Sequence, residues 1–137
     1  MEKTEVNMWG VYPVSNLFYC KDRYRVGKQF IVACFYGFKN VKDYRFEELA
    51  DVKNDIWYSC FRSTKDGGVL RYDGCCPDTV YYAKGGLKEY RTQEREEKAC
   101  RAIVEKYPDL VEYTVKKDGH PYCRWKRQKM ITIEQVN

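Results

Sequence analysis

The sequence lacks most of the residue patterns that identify an enzyme or a membrane protein. It has one histidine, His120, so neither a two-histidine phosphoesterase nor a histidine-rich metal centre can be assembled. No Walker loop is present, and Gly67-Gly68 and Gly85-Gly86 lack the neighbours that a phosphate-binding loop needs. No apolar run approaches membrane-spanning length, and the first residues do not resemble a signal peptide. We therefore expect a cytoplasmic protein that is not an enzyme and uses no cofactor or metal.

Two catalytic motifs begin in the sequence but are incomplete. Asp109 and Glu112 follow the order of a metal-nuclease motif, but Thr114 stands where that motif needs a lysine. His120 could pair with a cysteine nucleophile, yet no local signature marks any cysteine as activated. A small nuclease or a thiol enzyme is therefore the weakest functional alternative.

The seven cysteines follow neither a zinc-binding nor a disulfide pattern. Their number is odd, their spacing contains no Cys-x-x-Cys, and Cys75-Cys76 is a vicinal pair. Most of them stand among apolar neighbours, where a reduced cysteine behaves as a small hydrophobic residue. We expect free, buried, reduced thiols, with metal binding and disulfides as the alternatives.

Length and composition predict one compact domain over residues 1–137. The hydrophobic fraction of 44% is large enough for a real core, and the sequence has no repeat, low-complexity tract or linker. The 13 tyrosines outnumber the 6 phenylalanines. Tyrosine is typical of half-buried surfaces, because its ring packs while its hydroxyl stays hydrated.

The clearest local signal is an amphipathic helix over about residues 92–107. Thr92 can cap its first turn, acidic residues follow where the helix dipole favours them, and Pro108 ends it. One apolar stripe recurs at helical spacing, and its members are Ala99, Cys100, Ile103, Val104 and Tyr107. Glu97 and Arg101 form an i,i+4 pair on the other face.

A β-hairpin is predicted directly after this helix. A two-residue turn at Asp118-Gly119 would pair apolar residues with basic ones, whereas a three-residue loop over 117–119 separates the two faces. The loop requires Gly119 in a left-handed conformation. The resulting pairs are Val111 with Trp125, Tyr113 with Cys123, Glu112 with Arg124 and Thr114 with Tyr122. Pro121 favours a sheet edge for the second strand.

The remaining elements are assigned from hydrophobic periodicity and turn residues. They are strands over 8–12, 17–26, 29–38 (central in the sheet), 56–62, 69–72, 79–83 and 130–134, and a short helix over about 43–52. Strands followed by a helix and further strands predict an α+β fold with a largely antiparallel sheet.

The positive charge of the chain is concentrated in one segment. Six basic residues and one acid lie between Tyr113 and Met130, an excess of five that equals the net charge of +5. A second basic run, in which Lys21, Arg23 and Arg25 share one face of a strand, would extend this surface if the two segments were adjacent. The predicted binding residues are Lys116, Lys117, Tyr122, Arg124, Lys126, Arg127, Lys129, Lys21, Arg23 and Arg25. Trp125 falls on the apolar face and is expected to anchor the core.

These features lead to the hypothesis of a non-enzymatic binding or inhibitor protein. Its acidic partner would be nucleic acid or a protein that handles nucleic acid, because neutralising phosphates releases counterions. The size, the lack of catalytic groups and the aromatic surface suit a small phage or mobile-element protein that opposes a host defence nuclease. The alternatives are a protein that sequesters a nucleotide, a protein that docks on an acidic protein surface, and an ordinary solvated edge. The chain is expected to be a monomer or a homodimer.

Overall fold

The computed structural model describes residues 5–42, 44, 51–79 and 89–133, and within them the chain forms two helices and seven strands. The elements, in chain order, are β1 (Met8–Val11), β2 (Tyr24–Gly27), β3 (Tyr36–Phe38), α1 (Asn54–Lys65), β4 (Val69–Tyr72), α2 (Gln93–Lys106), β5 (Val111–Val115), β6 (Pro121–Trp125) and β7 (Met130–Ile133). A single 3₁₀ turn, Leu17–Tyr19, precedes β2. The predicted α+β class is confirmed.

The strands form two sheets. Five strands make the larger sheet in the order β3-β1-β4-β2-β7, and β5 pairs with β6 in a separate hairpin. The β1–β4 pair is parallel and the other pairs are antiparallel, as predicted for most of the sheet. Because β7 pairs with β2, with Gly27 opposite Met130, the C-terminal segment returns to the start of the chain.

The helix predicted over 92–107 is confirmed as α2. The Thr92 hydroxyl accepts a hydrogen bond from the backbone N–H of Arg95 at 3.3 Å. Ala99, Cys100 and Ile103 are buried on its inner face. Cap and stripe therefore act together, since the cap satisfies a free N–H and the stripe supplies most of the packing energy.

The hairpin has the predicted register. Val111 lies opposite Trp125, Glu112 opposite Arg124, Tyr113 opposite Cys123 and Thr114 opposite Tyr122. The backbone N–H of Lys116 donates to the carbonyl of His120 at 2.9 Å, which leaves a three-residue loop, and Gly119 has φ of 85°. Val111 and Cys123 are buried against α2. Separation of the faces therefore decided the register.

The main core lies between α1, α2 and the hairpin. Its buried members are Ile56, Trp57, Cys60, Phe61, Cys100, Ile103, Tyr107, Leu110, Val111 and Cys123. A smaller cluster of Met8, Ile31 and Val69 packs elsewhere. Helix α2 thus covers the hairpin and α1 contributes to the same core, while the C-terminal segment leaves this layer to join the larger sheet.

Three predicted strands are wrong or too long. Residues 56–62 belong to α1, where Ile56, Trp57, Cys60 and Phe61 follow helical rather than alternating spacing. The strand predicted over 29–38 is reduced to β3, a three-residue edge strand, and Phe35 is 55% exposed. Of residues 17–26, β2 keeps only the last part. The apolar and aromatic residues of these segments favour strands by composition, but packing decided their conformation.

Other predicted elements have mixed outcomes. The strands at 8–12, 69–72 and 130–134 correspond to β1, β4 and β7. The helix predicted over 43–52 and the strand over 79–83 fall mainly outside the described residues.

The cysteines are less buried than expected. All seven thiols are free, and Cys60, Cys100 and Cys123 are buried as predicted. Burial is wrong for the other four, since Cys34 and Cys75 are exposed and Cys20 and Cys76 are half-buried. Apolar neighbours in the sequence therefore did not imply burial, because these four lie in connecting segments at the surface.

Candidate anion-binding cleft

The two basic segments of the sequence meet where residues 126–129 cross from the hairpin to the larger sheet. These residues connect β6 with β7, and β7 lies beside β2. Since Gly27, the last residue of β2, pairs with Met130, Lys28 lies next to this crossing segment. Arg25, which pairs with Thr132, lines the same cleft. A cleft of about 590 Å³ opens between the two segments.

The cleft is lined almost entirely by cationic and amphipathic side chains. Its lining residues are Arg25, Lys28, Trp125, Lys126, Arg127, Gln128, Lys129 and Met130. Five of these are lysine or arginine, and no carboxylate is among them. The volume falls within the range of about 300–1,000 Å³ that is typical of small-molecule sites.

Hydrogen bonds to the α2–β5 connection fix the crossing segment. The backbone N–H of Lys126 donates to the carbonyl of Leu110 at 2.8 Å, and its Nζ donates to the carbonyl of Pro108 at 2.6 Å. The Gln128 amide donates to the carbonyl of Asp109 at 3.0 Å. One wall of the cleft is therefore attached to the connection between the long helix and the hairpin.

Trp125 joins the two walls. Its indole N–H donates to the carbonyl of Lys28 at 3.1 Å, and its ring lies 6.4 Å from that of Phe30. The side chain is half-buried against the main core and also lines the cleft. The predicted contact of Trp125 with the core is therefore confirmed. The side chain also faces the cleft, which the sequence did not reveal.

The positive charge in the cleft is largely uncompensated. Among the residues that the structure describes, no carboxylate lies within ion-pairing distance of Lys28, Lys126, Arg127 or Lys129. Lys28, Arg127 and Lys129 are exposed to solvent. Cations that converge in a concave site raise the local positive potential and attract anions.

Arg25 belongs to the cleft and also to a buried ion cluster around Asp73. Asp73 Oδ1 accepts a hydrogen bond from Arg71 Nε at 2.8 Å, and Oδ2 accepts one from Arg23 Nε at 3.1 Å. Arg25 Nε lies 2.5 Å from Oδ2, at ion-pairing distance but not aligned for a hydrogen bond. Three arginines and one carboxylate leave an excess of two positive charges.

The charge state of Asp73 is set by these arginines. Its carboxylate is fully buried, and burial alone would raise its pKa. The charge and hydrogen bond of Arg71, together with the contacts of Arg25 and Arg23, outweigh burial and hold the pKa of Asp73 below its ordinary value. This group was not predicted from the sequence, although alternation along β4 places Arg71 and Asp73 on one face.

The other predicted binding residues lie outside the cleft. Lys116 and Lys117 are at the hairpin turn, with Lys116 Nζ 4.8 Å from the Tyr122 ring, and β6 separates them from the cleft by roughly 15 Å. Arg124 is paired with Glu112 at 2.8 Å. Lys21 is exposed near the Asp73 cluster, and its backbone N–H donates to the backbone carbonyl of Asp73 at 3.0 Å. The structure therefore brings together Arg25, Lys126, Arg127 and Lys129 in the cleft, holds Arg23 in the Asp73 cluster beside Arg25, and places the other predicted residues elsewhere.

The class that these observations define is an α+β protein with a cationic cleft between two sheets. In the described part of the chain, no group of histidine, cysteine, aspartate or glutamate side chains has the arrangement of a metal site. No helix there has the length and apolar character needed to cross a membrane. The sequence matches no protein-family model, and it has no match among curated proteins or solved structures.

Proposed function

We propose that this protein binds single-stranded nucleic acid through the cationic cleft, as a non-enzymatic binding protein. The observation that carries this proposal is the convergence of five cations in one cleft whose lining contains no carboxylate. Arginine and lysine are the side chains that hold phosphate oxygens, and arginine does so with two parallel hydrogen bonds. A nucleic-acid backbone presents phosphates at regular intervals. It can therefore contact several cations at once, whereas a single small anion can contact only a few.

Trp125 supports a single strand over a duplex. Its indole is held in a fixed orientation by Lys28 and Phe30 at the wall of the cleft. Unpaired bases can stack on such a ring, and each stacked base contributes about 1–3 kcal/mol, whereas the bases of a duplex are already stacked on each other. Cations that hold phosphates beside one aromatic ring are typical of proteins that bind single strands.

The strength of binding should depend steeply on salt. For single strands the slope of log K against log salt is about −0.7 for each phosphate neutralised, so contacts from the four cations without a carboxylate partner would give a slope of about −2.8. Fluorescence anisotropy with labelled single-stranded DNA and RNA at several salt concentrations measures this slope. A protein that does not bind at low salt, or whose binding is independent of salt, would contradict the proposal.

A matched pair of variants separates the cleft from the general surface charge. The triple variant Lys28→Ala, Arg127→Ala, Lys129→Ala removes three exposed cations from the cleft, and Lys21→Ala, Lys116→Ala, Lys117→Ala removes three exposed cations elsewhere. We expect the first to weaken binding at least tenfold and to reduce the slope by about 2. The second should change affinity far less. Equal effects would assign binding to net charge rather than to the cleft.

A second candidate, sequestration of a free nucleotide, is favoured by the volume of the cleft. About 590 Å³ is enough for one nucleotide with its phosphates. The dependence of affinity on oligonucleotide length distinguishes the two, because a strand site gains affinity as the oligonucleotide lengthens and a nucleotide site does not. A thermal-shift panel of mononucleotides completes the comparison.

Inhibition is an extension of the main proposal. A protein that occupies a nucleic-acid strand through several cations excludes nucleases from that strand, which is how a phage or mobile-element protein would oppose a host defence nuclease. Protection of a bound oligonucleotide from an added nuclease, lost in the cleft triple variant, tests this role. An acidic surface of the nuclease itself is the competing target, and a pull-down with and without nucleic-acid digestion separates the two. The cytoplasmic location and the monomeric or homodimeric state remain predictions.

A further inference from the structure

The vicinal pair Cys75-Cys76 lies close to a third cysteine that is distant in the sequence. The Cys20 thiol donates a hydrogen bond to Cys76 Sγ at a sulfur–sulfur distance of 3.1 Å. Cys20 follows the 3₁₀ turn before β2, and Cys76 lies in the loop after β4. Both side chains are half-buried, so solvent can reach them.

Backbone hydrogen bonds on both sides hold the two cysteines together. The N–H of Lys21 donates to the carbonyl of Asp73 at 3.0 Å, and the N–H of Tyr12 donates to the carbonyl of Cys75 at 3.2 Å. The Asp73 side chain meanwhile binds Arg23, two residues after Lys21. The proximity of the sulfurs is therefore fixed by the fold around them and does not depend on the thiols themselves.

The other cysteines lack this combination of proximity and access. Cys100 and Cys123 are neighbours, with the Cys123 thiol directed at the carbonyl of Cys100 at 3.7 Å, but both are fully buried in the main core. Cys60 is buried as well, and Cys34 is exposed, with no hydrogen bond to another sulfur in the part of the chain that the structure describes. An oxidant in solution therefore meets a preformed dithiol at Cys20 and Cys76.

We propose that Cys20 and Cys76 form a redox-active dithiol that glutathione disulfide oxidises to an intramolecular disulfide. The Cys76 thiolate attacks one sulfur of glutathione disulfide, which forms a mixed disulfide and releases one glutathione thiolate. Cys20, after losing its proton, attacks the Cys76 sulfur and releases the second glutathione thiolate. The two protons go to the two glutathiones, so the protein loses two hydrogens and glutathione disulfide is reduced to two glutathiones.

The hydrogen bond between the thiols assigns the order of these steps. That bond raises the pKa of Cys20 to about 11, with further contributions in the same direction from desolvation, Cys76, Cys75 and Asp73. Cys20 therefore keeps its proton near neutral pH, which leaves the first attack to Cys76. Closure requires the Cys20 thiolate, so the rate of closure should increase with pH through the alkaline range.

The disulfide would join two segments that flank the Asp73 cluster and would close the chain between residues 20 and 76. Closing a loop of this length restricts the unfolded chain, so the folded protein becomes more stable. We expect the midpoint of thermal unfolding to rise by about 10 °C on oxidation. This inference does not depend on the nucleic-acid proposal.

The experiment uses the full-length reduced protein, incubated with glutathione disulfide and then alkylated. Titration should show a loss of two of the seven thiols beyond any glutathione adducts, and peptide mass spectrometry should find residue 20 linked to the 75–76 peptide. Cys75→Ser should still form the link, which assigns it to Cys76. Cys20→Ser and Cys76→Ser should accumulate glutathione adducts instead, with folding checked by circular dichroism.

Two results would overturn the proposal. One is a Cys75–Cys76 disulfide as the oxidised product in the wild type, and the other is a set of stable glutathione adducts without any internal link. Cys34→Ser is the matched control, because it removes an exposed thiol outside the pair and should leave the link unchanged. Peptide mass spectrometry of the oxidised wild-type protein shows which cysteines are linked even if a cysteine variant fails to fold.

Discussion

Replacing Asp73 with asparagine tests whether the buried ion cluster holds the larger sheet together. Asparagine has the same shape and keeps both backbone hydrogen bonds, but it removes the negative charge from among three guanidinium groups. Arg71 would be destabilised most, because its side chain is only 7% exposed and would keep its charge without a carboxylate partner. Its contacts with the carbonyl of Phe30 at 3.4 Å and with the Tyr12 ring at 5.0 Å persist.

The burial of the three arginines sets the expected loss of stability. Removing one partner of a buried pair costs about 3–5 kcal/mol in the free energy of unfolding. Arg23 and Arg25 are 35% and 18% exposed and can regain water, so we expect the low end, about 3 kcal/mol. Urea unfolding of the wild type and the variant at neutral pH measures this loss in the free energy of unfolding. Asp78→Asn, at an exposed aspartate in the same loop, is the matched control and should change stability by less than about 0.5 kcal/mol.

The pH dependence provides an independent check. Because the pKa of Asp73 is lowered in the folded state, its contribution is fully present above the ordinary carboxyl value of 3.8 and is lost as the pH falls through the lowered value. The stability difference between wild type and Asp73→Asn should therefore narrow below about pH 4. Two results would refute the reasoning. One is an Asp73→Asn variant that is as stable as Asp78→Asn, and the other is a stability difference between wild type and Asp73→Asn that is undiminished at about pH 2.

Three further predictions concern the helix cap, the hairpin loop and the cleft. Thr92→Ala should reduce the free energy of unfolding by about 1 kcal/mol, measured in urea, because the N–H of Arg95 loses its acceptor, and Thr92→Ser should restore most of it. Gly119→Ala should cost about 1 kcal/mol in the same assay from backbone strain alone, since φ is 85° and the added methyl meets open space. Trp125→Phe removes the hydrogen bond to Lys28 but keeps a ring, so affinity for a labelled oligonucleotide should fall by about tenfold or less, whereas Trp125→Ala should cost more. Unchanged affinity in both tryptophan variants would remove the indole from the proposed site.

The elements that the sequence predicted correctly are those whose information is local. Thr92, the apolar stripe and Pro108 specify α2 within one short segment, and each signal supports the same conclusion. The register of the hairpin was predictable because only one loop length separates its apolar face from its polar face. Local signals of this kind need no knowledge of the rest of the chain.

The errors arose where burial depends on distant parts of the chain. The segment that became α1 carries Trp57 and Phe61, which favour strands by composition, but packing against α2 and the hairpin selected the helix. Phe30 and Ile31 lie in a dense apolar run, yet only a short edge strand forms after it. Periodicity alone does not distinguish a buried strand from a helix or an apolar loop.

The sequence by itself determined α2, the hairpin and the excess of positive charge near the C-terminus. Only the tertiary structure decided which of those charges act together. It placed Lys28 beside Lys129, directed three arginines onto Asp73, and brought Cys20 to Cys76. Apart from the pair of Arg71 with Asp73, these contacts join residues that are far apart in the chain, and strand order in the larger sheet creates them. Strand order depends on the free energy of the whole fold, and short-range patterns do not encode it.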